Sequence, residues 1–491
     1  MADLGASTVL EETSYFDRDY LAEYEAFYST SAAGYGNKCK RLHFFCGDKF
    51  GGARVNSALG GSTASLKKLR QNYLGFIVLR PIPTAPLGRT VLPWYPDNTR
   101  PKRFIESRRV YTVHIGGIEL SIEGLAWQQQ DTGVSACATV SLWSALHSAA
   151  FDETLAVPTT PEITKAAHAL RSEGSRVFPA FEGLTVQQMC DAISNHNLAP
   201  MRIDADLFSE HGRPAFSRQR FAASCTPFLR SGYPIIVIGH TSGDDHAVCA
   251  SGYRAAPLNK SSATEVQLLD SQFNHIYLHD DNIGPNVRFG IKTRNHNGTD
   301  KSGNAFDFDY VCLEPDAPDT NGADRPDLSD HYLIPHFLVV AAHRDIRLSP
   351  NRLHSMGHTL ARNVMLARTA AKSSENLSDE NVVLGTQYTK LSTYLGTELS
   401  RTLGHAPKRL RRARIELIER VPPMSLHIGV VRLALTDQNY LCDVLYDTTD
   451  TDQNLPVFAT IVYGEKIVFE MIKSVEDRLV TKLGVLIDAT A

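Results

Sequence analysis

The chain has 491 residues, 43% of them hydrophobic and 21% charged, with 50 basic residues against 54 acidic ones. That length predicts more than one domain, and the composition excludes a disordered or fibrous chain. The near balance of charge gives no global field for steering nucleic acid or an anionic membrane.

The first segment, "MADLGASTVLEETSYFDRDY", has no basic n-region and no long apolar core, so no secretory signal is expected. The sequence holds no uninterrupted apolar run of about 18 residues, so no membrane span is expected. Aromatic and acidic residues between 10 and 30 predict a helix. "CKRLHFFC" brings Cys39, His43 and Cys46 close together, but without a matching second cluster buried thiols are favoured over zinc. "YLGFIVLRPIP" predicts a strand stopped by prolines, and "RRVYTVHIGGIELSIEG" predicts a hairpin turning at Gly116–Gly117. Residues 1–122 are thus read as an N-terminal α+β region.

Residues 123–325 are read as a second domain. "TPEITKAAHALRSE" opens with Thr-Pro-Glu and predicts a helix over 160–173. "LTVQQMCDAISNHN" predicts another over 184–197, with Leu184, Met189 and Ile193 apolar. Strands are then predicted at "YPIIVIG" (233–239), "HAVCASGYR" (246–254), "EVQLLD" (265–270), "HIYLHDD" (275–281) and "FDYVCL". The composition at 318–328 predicts a boundary or linker. The third part, 330–491, is read as a C-terminal α+β domain: a strand in "YLIPHFLVVAA", helical segments around 350–373 and 384–404, and a late strand in "PVFATIVYG". "PKRLRRARIELIERV" (407–421) is a basic run entering an amphipathic helix, read as a solvated face in preference to a nucleic-acid patch.

The eight cysteines are scattered and form no CxxC pair, which argues against a disulfide scaffold and for a reducing cytoplasm. Cys190 and Cys249 fall within apolar patterns and are read as core. Cys137 is different. It stands in "QQQDTGVSACATVSLWSAL", between a polar turn and a segment in which Leu142, Ala145, Leu146 and Ala149 recur at helical spacing. A thiol attacks as its thiolate, which a helix N-terminus and a nearby histidinium both favour. His246 opens a predicted strand just after the turn "HTSGDD", so it can reach a cleft. Asp280 ends the strand "HIYLHDD" and can orient the imidazole, with Asp270 as an alternative. Gln130, or its neighbour Gln129, can donate to an oxyanion together with the Cys137 backbone N–H.

Glutamine, cysteine at a helix start, a buried strand, a strand opening with histidine and a strand ending in aspartate: over about 123–290 this order resembles the papain-like cysteine peptidases, most of all the bacteriocin-processing (C39-like) branch. The matching positions are Gln130, Cys137, His246 and Asp280. The resemblance implies an α+β papain-like core, with a Cys-bearing helix on an antiparallel sheet that carries His and Asp. It implies a cysteine peptidase with a Cys-His-Asp triad that needs no metal or organic cofactor. The implied substrate is a peptide or protein cut after small residues such as Gly-Gly, with a protein partner selected by the N- or C-terminal domain. The alternative reading is a catalytically inactive papain-like module that binds protein within an assembly.

Overall fold

The computed structural model describes residues 4–94, 103–131, 137–153, 155–169, 183–210, 212–256, 258, 266–269, 273–299, 305–316, 331–375, 377, 380–404, 406–421, 423–436, 439–449, 457–478 and 484–489. The fold is mixed α+β, with predominantly antiparallel sheets. Two compact units emerge: Met1–Ala215 with Gly232–Tyr253 and His275–Ala341, and Phe216–Ser231 with Arg254–Asn274 and Ala342–Ala491. The predicted boundary at 318–328 and the candidate Asp270 lie outside the described residues. Among the described residues no helix is long and apolar enough to cross a membrane.

The first unit begins with a four-stranded antiparallel sheet in sequence order, Ala6–Tyr15, Cys39–Cys46, Tyr73–Leu79 and Leu87–Val91. The helix predicted between 10 and 30 is therefore a strand in its first part. The alternation of "TVLEET" exposes every second side chain, and the helix starts only at Arg18, where Asp17 caps it by accepting from the backbone N–H of Asp19 (3.1 Å) and Tyr20 (3.2 Å). In the strand Cys39–Cys46 the His43 ring is held by the Tyr73 hydroxyl and the Glu12 carboxylate, both at 2.9 Å. The hairpin of Arg109–Ile115 and Ile118–Gly124 turns where the sequence predicts, with Gly116 and Gly117 at φ of 53° and 87°.

The larger sheet of this unit has eight strands. Its main path runs Ala305–Pro315, Gly284–Thr299, Phe273–Asp280, Asp245–Ala255, Ile235–His240, Ile334–His343 and Leu198–Asp204, and Arg103–Phe104 pairs with Asp245–Ala255. Strand Ile235–His240 is buried on both faces over its first five residues, as its unbroken apolar run predicts. It lies antiparallel to both neighbours. Gly239 permits close passage of the next strand, because a Cβ there would stand 2.7 Å from the Ile334 carbonyl oxygen. Helix Cys137–Leu146 packs on Ile235–His240 and is buried from Ala138 onward, which explains why it carries no charged residue and no exposed polar face.

Directly after that helix, the buried His147 donates from Nδ1 to the Trp143 carbonyl (2.9 Å) and lies against the Trp143 and Tyr111 rings. Burial pushes its pKa down to about 3. The unfolded chain, near 6.5, therefore binds a proton that the folded chain refuses, and stability falls as pH drops through that interval. The stability gap between wild type and His147→Gln should narrow by roughly 1 kcal/mol between pH 6 and pH 5. Urea titrations at the two pH values measure it, and a constant gap would contradict the assignment.

The second unit is built on a six-stranded sheet ordered Gln267–Leu268, Val382–Lys390, His427–Leu435, Tyr440–Asp447, Val457–Val462 and Val485–Asp488, with parallel pairs only at its two edges. The helix predicted over 384–404 is half strand. "VVLGTQYTK" is a β-rich run buried on both faces in an inner strand, and helical structure begins only at Leu391. Helix Pro407–Arg420 buries Ala413 and Leu417 and exposes Lys408, Arg411, Arg412 and Arg420, while Arg409 and Arg414 turn inward to donate to the carbonyls of Ala489, Tyr463 and Leu395, so the basic run is only partly a solvated face. Within the sheet the buried Asp443 accepts from Arg432 at 2.7 and 2.6 Å and from the hydroxyls of Tyr394 and Tyr463 at 2.9 and 2.8 Å. That fully partnered carboxylate is a structural anchor.

Candidate active site

Cys137 is the first described residue of its helix and is half-buried. The polar turn at 132–136 lies outside the described residues. His246 is the second residue of strand Asp245–Ala255, and Asp280 is the last of Phe273–Asp280. Adjacent pairing of those strands puts the histidine and the aspartate at the same end of the sheet. The Cys137 helix is tied there by a buried bond from Ser141 Oγ to the carbonyl of Ala247, 2.8 Å long. Ser141 stands one turn after Cys137, and Ala247 follows His246, so this bond sets helix against strand where the two side chains meet.

His246 Nε2 lies 3.4 Å from Asp280 Oδ1, and the Cys137 side chain is among the groups that favour the protonated ring. Burial opposes the imidazolium, but the bonds to Asp280 and Cys137 and the charges of Asp281 and Asp280 outweigh it and push His246 up to about 11. The ring is thus held in the form that pairs with a thiolate. Burial alone would raise the Asp280 carboxyl; the hydrogen bond and charge of His246 and the backbone N–H groups of Asn282 and Ile283 (2.9 and 3.3 Å) hold it below the usual range. Trp127 Nε1 donates to the Asp280 carbonyl at 2.9 Å and fixes the end of the strand from the other side.

Gln130 and Gln129 have different surroundings. Gln130 Nε2 donates to Asn282 Oδ1 (3.2 Å), and its side chain lines a cleft of about 430 Å³ together with His246, Asp280, Asn282, Tyr332 and Leu333, among others. Gln129 faces the smaller sheet, where its Oε1 accepts from the Leu87 N–H at 3.3 Å. Cys190 lies in helix Val186–Asn195, and Cys249 is fully buried in the His246 strand.

Asp281 is a member of the site that pattern reading passed over. It is 2% exposed, its Oδ1 lies 3.5 Å from His246 Nε2, and neither oxygen makes a hydrogen bond. Burial first, then the Asp280 charge, pushes it up to about 7 despite the attraction of His246. The dipeptide Asp280–Asp281 was the available signal, although side chains that alternate along a strand give no reason to expect both at one ring.

Compared with known proteins, the chain matches no family model, and no curated sequence matches it.

Proposed function

We propose that the chain is a cysteine peptidase with a papain-like core, in which Cys137 is the nucleophile, His246 the acid and base, Asp280 the orienting carboxylate and Gln130 an oxyanion donor. One observation carries the reading: the imidazole of His246 meets the carboxylate at the end of the neighbouring strand at 3.4 Å, and the helix bearing Cys137 is tied to the residue next to His246. The Cys137 sulfur attacks the scissile carbonyl carbon, and the resulting oxyanion is met by Gln130 and the Cys137 backbone N–H. The C–N bond then breaks, His246 gives its proton to the leaving amine, and a thioester remains. Water attacks the thioester with His246 as base, releasing the carboxylate and the thiol. The substrate class is a peptide or protein cut after small residues such as Gly-Gly, by resemblance to the C39-like peptidases.

A peptide vinyl sulfone ending in Gly-Gly should add one inhibitor mass to Cys137, and the matching fluorogenic peptide should be hydrolysed by wild type and not by Cys137→Ala. A chain that neither labels nor hydrolyses, while Cys137→Ala retains the wild-type protein contacts, would instead support the non-catalytic binding module.

A further inference from the structure

We infer that Asp281 is a second positioning carboxylate of the site: it shares the charge of the His246 ring with Asp280, so that ring and carboxylate gain and lose protons together. The inference deepens the peptidase reading and rests on it for any effect on turnover. The two aspartates reach the ring by different routes. Asp280 is the last residue of strand Phe273–Asp280, which pairs with the His246 strand. Asp281 opens the turn that follows, before the next strand starts at Gly284. Outside the strand it is released from the alternation that sends neighbouring side chains to opposite faces. His246 Nε2 then has Asp280 Oδ1 at 3.4 Å and Asp281 Oδ1 at 3.5 Å. One oxygen of each carboxylate and the ring nitrogen all fall within 4.8 Å of one another.

A protonated Nε2 carries a single hydrogen, so the two carboxylates compete for it. Asp280 has other support, from the backbone N–H groups of Asn282 and Ile283 at 2.9 and 3.3 Å. Asp281 is 2% exposed, and neither of its oxygens has a hydrogen-bond partner among the described residues. A buried carboxylate in that state keeps its charge only beside a compensating one. Of the charged groups that act on it, His246 on the neighbouring strand favours the ionised form and Asp280 opposes it; its own backbone N–H is a lesser help. Ring and carboxylate therefore depend on each other. The imidazolium keeps Asp281 ionised, and ionised Asp281 keeps the ring protonated.

This coupling bears on the proposed cycle. An ionised Asp281 holds the proton on the ring and favours the imidazolium that pairs with a thiolate. A protonated Asp281 weakens that hold and eases transfer of the ring proton to the leaving amine. Removing the Asp281 charge should therefore move the alkaline limb of kcat/KM to lower pH.

Reading the ring directly, without substrate, keeps this inference apart from the peptidase reading. The full chain is labelled with 13C-histidine, and the ring resonances are followed by NMR up to about pH 9, above the ordinary histidine range. The His246 resonance is the one lost in His246→Ala. Wild type should hold this ring protonated throughout. Asp281→Asn keeps the shape and removes the charge, and its ring should titrate below about pH 9, at least about one unit under wild type, as for loss of an opposite charge within about 4–6 Å. Asp281→Ala is a second neutral variant with the same expected shift, and circular dichroism checks both folds. A purely structural Asp281 would change the thermal midpoint and leave the ring titration in place. A wild-type ring already neutral at about pH 9, or one still protonated there in both neutral variants, would overturn the inference. If the titration shifts but wild type hydrolyses no peptide, the peptidase reading fails and the shared charge stands. If wild type does hydrolyse, an alkaline limb unmoved in Asp281→Asn would overturn the role in turnover.

Discussion

Replacing His246 with alanine should lower peptide turnover by about four orders of magnitude. The ring serves every step of the proposed cycle: it holds the thiol, protonates the leaving amine and activates water. Its hydrogen bond runs to Asp280, the Cys137 side chain favours its protonated form, and Asp281 Oδ1 lies 3.5 Å from the same Nε2. Alanine removes all of these together. Asp280→Asn should cost less, because the carboxamide keeps an acceptor toward Nε2 but gives up the charge that stabilises the imidazolium. Steady-state kinetics on one fluorogenic peptide rank the two variants. If Asp280→Asn were worse than His246→Ala, the assignment of roles would be wrong.

The largest expected loss of stability is at Glu23. Its side chain and that of Arg80 are each 1% exposed and pair at 3.1 Å. Glu23 Oε1 also accepts from Gln128 Nε2 (3.1 Å) and Thr160 Oγ1 (2.7 Å), and Arg80 NH2 donates to the carbonyls of Ala85 and Gln129 at 2.8 and 2.9 Å. Removing one partner strands a buried charge, so Glu23→Ala should cost about 3–5 kcal/mol. The double replacement Glu23→Leu with Arg80→Met should recover much of that, because no uncompensated charge remains. The three tryptophans, Trp94, Trp127 and Trp143, all lie in the first unit, so their fluorescence during urea unfolding reports on the relevant unit. A Glu23→Ala cost below about 1 kcal/mol would show that the pair is not stabilising in this setting. The same network grips the backbone just ahead of Gln130, so this variant should also reduce labelling of Cys137.

Much of the main sheet is legible in the sequence, because its signals are local. "YPIIVIG" is continuous and apolar since both faces of that strand are covered, and the Gly116–Gly117 turn needs the positive φ that glycine supplies. The triad candidates are legible for a similar reason: each stands at the end of a strongly patterned element. What escaped is non-local. Residues 384–390 read as helix because an inner strand covered on both faces has no alternation to betray it. The tie between the N-terminal sheet and the segment before Cys137 rests on pairs such as Thr90 with Trp127, Glu23 with Gln128 and Tyr28 with Asp131, and no spacing in the sequence announces them. Asp281 escaped because its importance comes from burial beside His246, which the pattern "HDDN" does not encode.

The central claim is that His246 activates Cys137. The most direct measurement is site-resolved alkylation by iodoacetamide at neutral pH, read by peptide mass spectrometry in wild type and His246→Ala. Cys190 serves as the internal reference: it too is only partly covered, and burial pushes its thiol up. The account predicts that Cys137 reacts at least about ten-fold faster than Cys190 in wild type and falls to a comparable rate in His246→Ala. Equal rates at the two cysteines in wild type, or a Cys137 rate unmoved by His246→Ala, would contradict it.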